Sequence, residues 1–431
     1  MMSLIFIFLV LTPFCLGNFH LLTQFFLLMT YMYMLVFGSF GYFNKISYFL
    51  GIDSYSYALI LLTLLISSFM IISMVGCEMM HLFLFVNMSL VFFLFIIFTS
   101  LDFLYMYISF EFILVPLLIL ILGWGYQPER LISGLYLFFY TLLVSLPLLI
   151  LLVNIYISLG SMFFDYLSFT MDFFVIHFMV MIVFMVKLPM CFVHYWLPKA
   201  HVQAPVSGSM ILAGLMLKIG GYGLIRSMSL FEFMYMNYSF IWYSISLVGS
   251  LFISFVCLIQ SDMKCLIAYS SICHMGMVIM GLCTMNYWGL LGSLMMMLGH
   301  GFCSSGLFYV SNVLYIRSGS RSFYVNKGLL TYMPSCSLVF FMLCSFNMSC
   351  PPSLNFLSEL MIIMSMMSFW LISSVFFMFI SFMCACFSYY LYSYSQHGLY
   401  SFSSLSLMEL LCLYMHIFPL LFFSLFFSSL F

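Results

Sequence analysis

Apolar blocks of helical-span length, roughly 20 residues each, follow one another down almost the whole chain, parted only by short stretches of Gly, Pro or charge. A helix of that length crosses the hydrocarbon layer of a bilayer once, at about 1.5 Å per residue. Only 5% of the 431 residues are Asp, Glu, Lys or Arg and 66% are hydrophobic, whereas a soluble domain carries about 25% charge. The chain is therefore expected to be an all-α polytopic membrane protein, with no separate soluble domain and no barrel.

Breaking the sequence at Gly, Pro and charged clusters gives about 14 transmembrane helices: 2-17, 21-42, 54-76, 80-100, 102-123, 131-158, 170-198, 205-225, 236-259, 263-284, 288-314, 329-368, 371-393 and 406-430. Two are overlong and interrupted, the seventh by Pro189 and the twelfth by Cys350-Pro351-Pro352. Interrupted helices in matching places point to a transport site between inverted repeats, here two repeats of five helices. The expected organisation is N-terminal helices over 1-79, a first repeat over 80-225, a second over 226-393 and a C-terminal helix over 394-431. The N-terminus MMSLIFIFLVLTPFCLG has neither a basic signal region nor an Arg-rich presequence and reads as a retained first span.

Charge orders the map. With alternating spans, Arg130, Lys199, Lys264, Arg317, Arg321 and Lys327 fall in loops on one side, against Lys45 and Arg226 on the other. Both termini then lie on the positive-poor side, with Asp53, Asp102, Asp165, Asp172 and Glu232. Glu129-Arg130 and the run Arg317, Arg321, Lys327 read as surface anchors.

Four ions remain at depth: Glu111, Lys187, Lys218 and Glu359. Glu111 is nine residues past Asp102, so about 14 Å into its span. His274, ten past Lys264, and His300, twelve past Trp288, share that depth. An ion at a helix centre costs about 2.5–3.5 kcal/mol, so four scattered ones would cost about 10 kcal/mol. Facing inward and pairing removes most of that cost. The same burial makes any lysine surrender its proton more easily, and an approaching carboxylate reverses this. A swing of about 3 pK units is about 4 kcal/mol, and moving a charge against roughly 150–200 mV costs about 3.5–4.6 kcal/mol. Glu111 with Lys187 or Lys218 therefore reads as a proton switch, the plainer alternative being polar residues that tie helices together.

The other features are structural on this reading. The 14 cysteines stand singly in apolar segments apart from Cys384-Ala-Cys386, with no CxxC, which argues against iron–sulfur or zinc. His194 and His201 flank the WLPKAH turn and show no facing histidine pairs for haem; His201 is expected at the membrane surface beside Tyr195 and Trp196. Gly221 to Gly223 is a helix-packing feature and not a nucleotide loop. The 55 Phe, 41 Met and 30 Tyr suit lipid-facing surfaces and equally an AT-rich genome that reads an extra codon as Met, as many mitochondria do.

The stretches SFEFILVPLLILILGWGYQPERL, MVKLPMCFVHYWLPKAHVQAPVSGSMILAGLMLKIGGYGLIR, SDMKCLIAYSSICHMG, HGFCSSGLF and PPSLNFLSELMI resemble, in order and spacing, the antiporter-like membrane subunits of respiratory complex I. The resemblance is strong over residues 80 to 370. It implies that Glu111 matches the glutamate of the fifth helix, Lys187 the lysine of the broken seventh and Lys218 that of the eighth. His274 and His300 resemble the central relay histidines, and Glu359 the terminal residue of the twelfth helix. Sister subunits tend to carry lysine there, and the largest has a long C-terminal lateral helix that is not expected here after LLFFSLFFSSLF; both points favour one member of the family.

The resemblance further implies a proton-translocating subunit of NADH:quinone reductase in the mitochondrial inner membrane. NADH, FMN, iron–sulfur clusters and ubiquinone would be bound by other subunits and none by this chain. Its partners would be the other membrane-arm subunits, including the sister antiporter-like subunits, small accessory subunits and the lipid bilayer, with no nucleic acid. Both termini would face the intermembrane space. The rival is a subunit of a stand-alone multisubunit cation/proton antiporter. A sodium site there would be expected to show further acidic or amide ligands at depth, where only Glu111 and Glu359 stand. A passive scaffold is the third possibility.

Overall fold

A computed structural model describes residues 2–17, 19–38, 45–164, 173–398 and 404–425. Asp165 and Asp172 lie outside these residues, as do 39–42, 170–172 and 426–430 of the expected spans. The order is α1 (Met2–Leu16), α2 (His20–Phe37), a hairpin of β1 (Lys45–Ser47) and β2 (Leu50–Ile52), α3 (Ser54–Ser73), α4 (Met80–Thr99), α5 (Phe103–Phe112), α6 (Leu114–Trp124) and α7 (Arg130–Leu159). Then come α8 (Phe174–Lys187), α9 (Trp196–Gln203), and α10 (Val206–Ile211), which runs through a π turn (Leu212–Met216) into α11 (Leu217–Leu230). The remainder is α12 (Glu232–Ile259), α13 (Met263–Cys283), α14 (Tyr287–Ser318), α15 (Leu329–Tyr332), α16 (Pro334–Asn347), α17 (Leu354–Phe369), α18 (Ser373–Gln396) and α19 (Leu407–Leu425).

Among the described residues, ten helices are long and apolar enough to cross a membrane, with α5–α6 and α10–α11 each counted once. Four shorter apolar helices accompany them: the 20–36 segment, α8, α16 and α17. Ten crossings, against the fourteen expected, is what length and composition alone support.

The interruptions fall where proline removes a backbone donor. α8 stops at Lys187, and turns occupy 188–195 around Pro189; the Trp196 indole donates to Val186 O at 3.0 Å, satisfying a carbonyl that the break frees. α16 stops at Asn347, Ser349 takes a left-handed φ of 59°, and Ser353 caps α17 by accepting from Phe356 N at 3.2 Å. A third break was not expected. Pro116 cannot donate to Phe112 O, and the helix opens at Ile113, two residues past Glu111.

α3, α10–α11, α13 and α14 form the buried centre, while α7 and α18 present most of their surface outward. Gly220 sets the approach of α11 to the end of α8. A Cβ there would lie 2.8 Å from Leu188 N and 3.0 Å from Phe184 O, so only glycine allows it.

The charges sort to two ends. At one, Arg321 donates to Val202 O at 2.6 Å, Met263 N to Arg321 O at 3.1 Å, and Gln203 to Glu129 at 2.8 Å. At the other, Leu101 N donates to Phe49 O at 3.0 Å, Phe103 N to Met162 O at 3.1 Å, and Arg226 pairs with Asp53. Five sequence assignments need correction. Lys264, Arg226, Asp53 and Asp102, counted as loop charges, are buried, and His201, expected at the membrane surface, is fully enclosed. Each sits near a helix end with its side chain turned into the bundle, which hydropathy cannot register.

Candidate functional site: a buried row of ionisable side chains

Lys187 is the last residue of α8, where unpaired helix carbonyls favour a cation. Its side chain is buried, with Nζ 4.0 Å from the centroid of the Phe110 ring and no hydrogen-bond acceptor. Glu111 follows Phe110 on α5, its carboxylate oxygens are buried, and their polar neighbour is the Ser145 side chain on α7. The two ions attract each other electrostatically but make neither an ion pair nor a hydrogen bond. Of the two lysines named as partners for Glu111, it is Lys187 that feels its charge.

Lys218 is the second residue after the π turn. Nζ donates to Ala213 O at 2.5 Å and lies 3.0 Å from His300 Nδ1 on α14. The π turn matters here because its wider winding leaves carbonyls open to such a side chain. The His300 ring lies 5.5 Å from that of His274 on α13, centroid to centroid. Nε2 of His300 is buried without a hydrogen-bond partner among the described residues, and the polar neighbour of the buried His274 ring is the Asn347 side chain, at the end of α16. Beyond the break Glu359 accepts a hydrogen bond from Ser349 Oγ at 2.5 Å.

All six expected residues therefore face the interior. Lys218, His300 and His274 are brought together, Glu111 and Lys187 are near neighbours without contact, and Glu359 is held by the twelfth-span break. His201 and Lys264 were missed. The His201 ring stacks on Phe308 at 4.8 Å and 4°, with neither nitrogen partnered, and feels the charges of both Lys264 and Lys218. Lys264 Nζ lies 5.9 Å from the ring centroids of Tyr126 and Tyr315. The available signal was that the helix resumes after Pro189, which makes WLPKAHVQ its second half and not a surface turn.

Fold and site together define a polytopic membrane protein with a row of acid–base groups through its centre. Residues 100–388 match the family model described as NADH:quinone oxidoreductase/Mrp antiporter, TM. The chain is 47% identical to NADH-ubiquinone oxidoreductase chain 4 of Ceratitis capitata, over 97% of each chain, and 47% identical to that of Aedes aegypti, over 91% of this chain and 90% of the relative. The fold is similar to a chain of respiratory complex I from Thermus thermophilus with bound NADH, at TM-score 0.89 and 19% identity over 98% of this chain and 95% of the other. It is also similar to a chain of the Mrp complex from Dietzia, at TM-score 0.82 and 16% identity, over 90% and 78%. The chain belongs to the NADH-ubiquinone oxidoreductase chain 4 family.

Proposed function

We propose that the chain carries protons across the mitochondrial inner membrane as part of the membrane arm of respiratory complex I, driven by redox chemistry on other subunits. The observation that carries this reading is the Lys218–His300–His274 cluster: three basic groups within one another's reach, enclosed by apolar helices, at 3.0 Å from Nζ to Nδ1 and 5.5 Å between rings. Lys218 and His300 share a hydrogen bond and the His274 ring stands next in the row, an arrangement that passes a proton while the surrounding bundle excludes other ions.

In this reading Glu111 modulates Lys187, Lys218 passes protons to His300 and His274, and Glu359 connects to the exit or to a neighbouring subunit. His201 and Lys264 extend the row toward the positive-rich end, which is taken as the matrix side, with both termini toward the intermembrane space. The breaks at 188–195 and 348–353 support two inverted five-helix repeats, over 80-225 and 226-393, and fourteen crossings once α1, α2, α8–α9 and α16–α17 are counted. NADH, FMN, iron–sulfur clusters and ubiquinone belong to other subunits, and the neighbours are other membrane-arm and small accessory subunits. The fold likeness to an Mrp chain leaves the stand-alone antiporter as the rival.

Gentle solubilisation of the host membrane and a native gel separate the two. Migration in a very large band that oxidises NADH supports the complex I reading; a small complex without that activity would sink it.

A further inference from the structure

Lys218, Tyr222 and Arg226 follow one another at intervals of four along one stripe of α11, so Arg226 lies about 12 Å along the axis from Lys218. The stripe ends at a cavity of about 300 Å³ lined by Tyr55, Ile225, Arg226, Ser229, Glu232 and Met285, among others. Glu232 is exposed, so this cavity lies at the positive-poor end of the bundle. A polar stripe from an outer cavity to the central lysine is, on its face, a short circuit for protons.

Its members are arranged against conduction. Arg226 pairs with Asp53, the residue that caps α3, and its Nε donates to the Tyr222 hydroxyl at 2.9 Å. That hydroxyl donates its own proton to Phe98 O at 3.0 Å, one of the last carbonyls of α4. The Tyr222 proton is thus committed away from Lys218. The guanidinium lies 5.0 Å from the Tyr222 ring centroid and 5.4 Å from that of Phe164, and it is almost wholly buried. A guanidinium does not release its proton and so cannot relay one. Its fixed positive charge in a low-dielectric wall repels hydronium and other cations.

We propose that Asp53, Tyr222 and Arg226 form an electrostatic seal that keeps protons in the outer cavity away from Lys218. Asp53 holds the guanidinium in place and offsets the burial of its charge, while Tyr222 fills the stripe behind it. The seal makes the central row one-sided at this point, and it rests on the reading that Lys218 carries protons.

The test is passive proton permeability of the intact complex, purified with the variant chain and placed in liposomes without NADH. Decay of an imposed pH gradient is followed with an entrapped dye. Arg226→Gln should assemble, retain NADH:quinone turnover and speed the decay severalfold, and adding Lys218→Met should return it to the wild-type rate. Should Arg226→Gln fail to assemble, the neutral pair Asp53→Asn with Arg226→Gln leaves no orphaned ion and should leak in the same way. Wild-type tightness in the assembled neutral pair overturns the seal, and so does a leak that persists after Lys218→Met. Lys218→Met alone tests the underlying reading separately: full NADH-driven pumping in that variant defeats proton carriage by Lys218, whatever the leak shows.

Discussion

Lys218 Nζ and His300 Nδ1 meet at 3.0 Å, across 82 residues of sequence, and this contact joins α11 to α14 at the centre of the bundle. It holds in either protonation state: an ammonium donates to a bare Nδ1, or a protonated Nδ1 donates to a neutral amine. Each group is therefore the other's hydrogen-bond partner and its proton acceptor. Removing Lys218 orphans the buried His300 ring, and removing His300 leaves Nζ with Ala213 O alone, each at about 1–3 kcal/mol. Lys218→Met and His300→Leu are each expected to abolish pumping, and the double variant to be more stable than the sum of the singles by roughly 1–3 kcal/mol. Midpoints of thermal inactivation for the four complexes measure this; strict additivity would mean the contact is not made.

Glu111 and Lys187 feel each other's charge without touching, and the Lys187 Nζ sits 4.0 Å from the centroid of the Phe110 ring, the residue before Glu111. Glu111→Gln keeps size and removes charge, so the helix and its break at Ile113 should persist. Proton translocation in the reconstituted complex should fall severalfold, while NADH oxidation by an artificial acceptor stays at the wild-type rate. An unchanged ratio of protons moved to electrons transferred would remove Glu111 from the row.

How much of this was legible in the sequence follows from what hydropathy reports. Buried ions stand out against 5% charge, so Glu111, Lys187, Lys218 and Glu359 were found, and Pro189 and Pro351-Pro352 located two of the breaks. Depth near helix ends was not legible. A side chain at an end can turn inward or outward, and Lys264, Arg226 and His201 turn inward. The π turn before Lys218 carries no composition signal, since Leu212–Met216 reads as ordinary helix. Pro116 did signal the opening at Ile113, but a single proline in a transmembrane helix is common and the kink depends on neighbours.

Gly220 gives a stability prediction away from the ions. A methyl group there meets the backbone of α8 at 2.8 and 3.0 Å, where nothing can rotate aside. Gly220→Ala should force α11 from the end of α8 and destabilise by about 1–3 kcal/mol, the range for overpacking. Less assembled complex on native gels and a lower inactivation midpoint are expected, along with a displaced Lys187. Wild-type stability would show that the two helices can separate freely.

The C-terminal helix is fastened by one forked pair. Arg317, in the last turn of α14, donates through Nη1 and Nη2 to Glu409 Oε1 and Oε2 at 3.1 and 2.6 Å, and through Nη2 to Ser404 O at 3.1 Å. Both side chains are largely shielded, so truncating one leaves the other charge in a poor solvent. Arg317→Ala should cost about 3 kcal/mol, with Arg317→Lys intermediate because a point charge cannot match the fork. The loss should appear locally, since α19 also packs on α14 and α16 through apolar contacts such as Phe302 with Phe423 at 5.9 Å. Limited proteolysis between α18 and α19 reads it directly. Faster cleavage in Arg317→Ala than in wild type, with the central row still pumping, is the expected result, and equal cleavage would show that the apolar contacts alone hold α19.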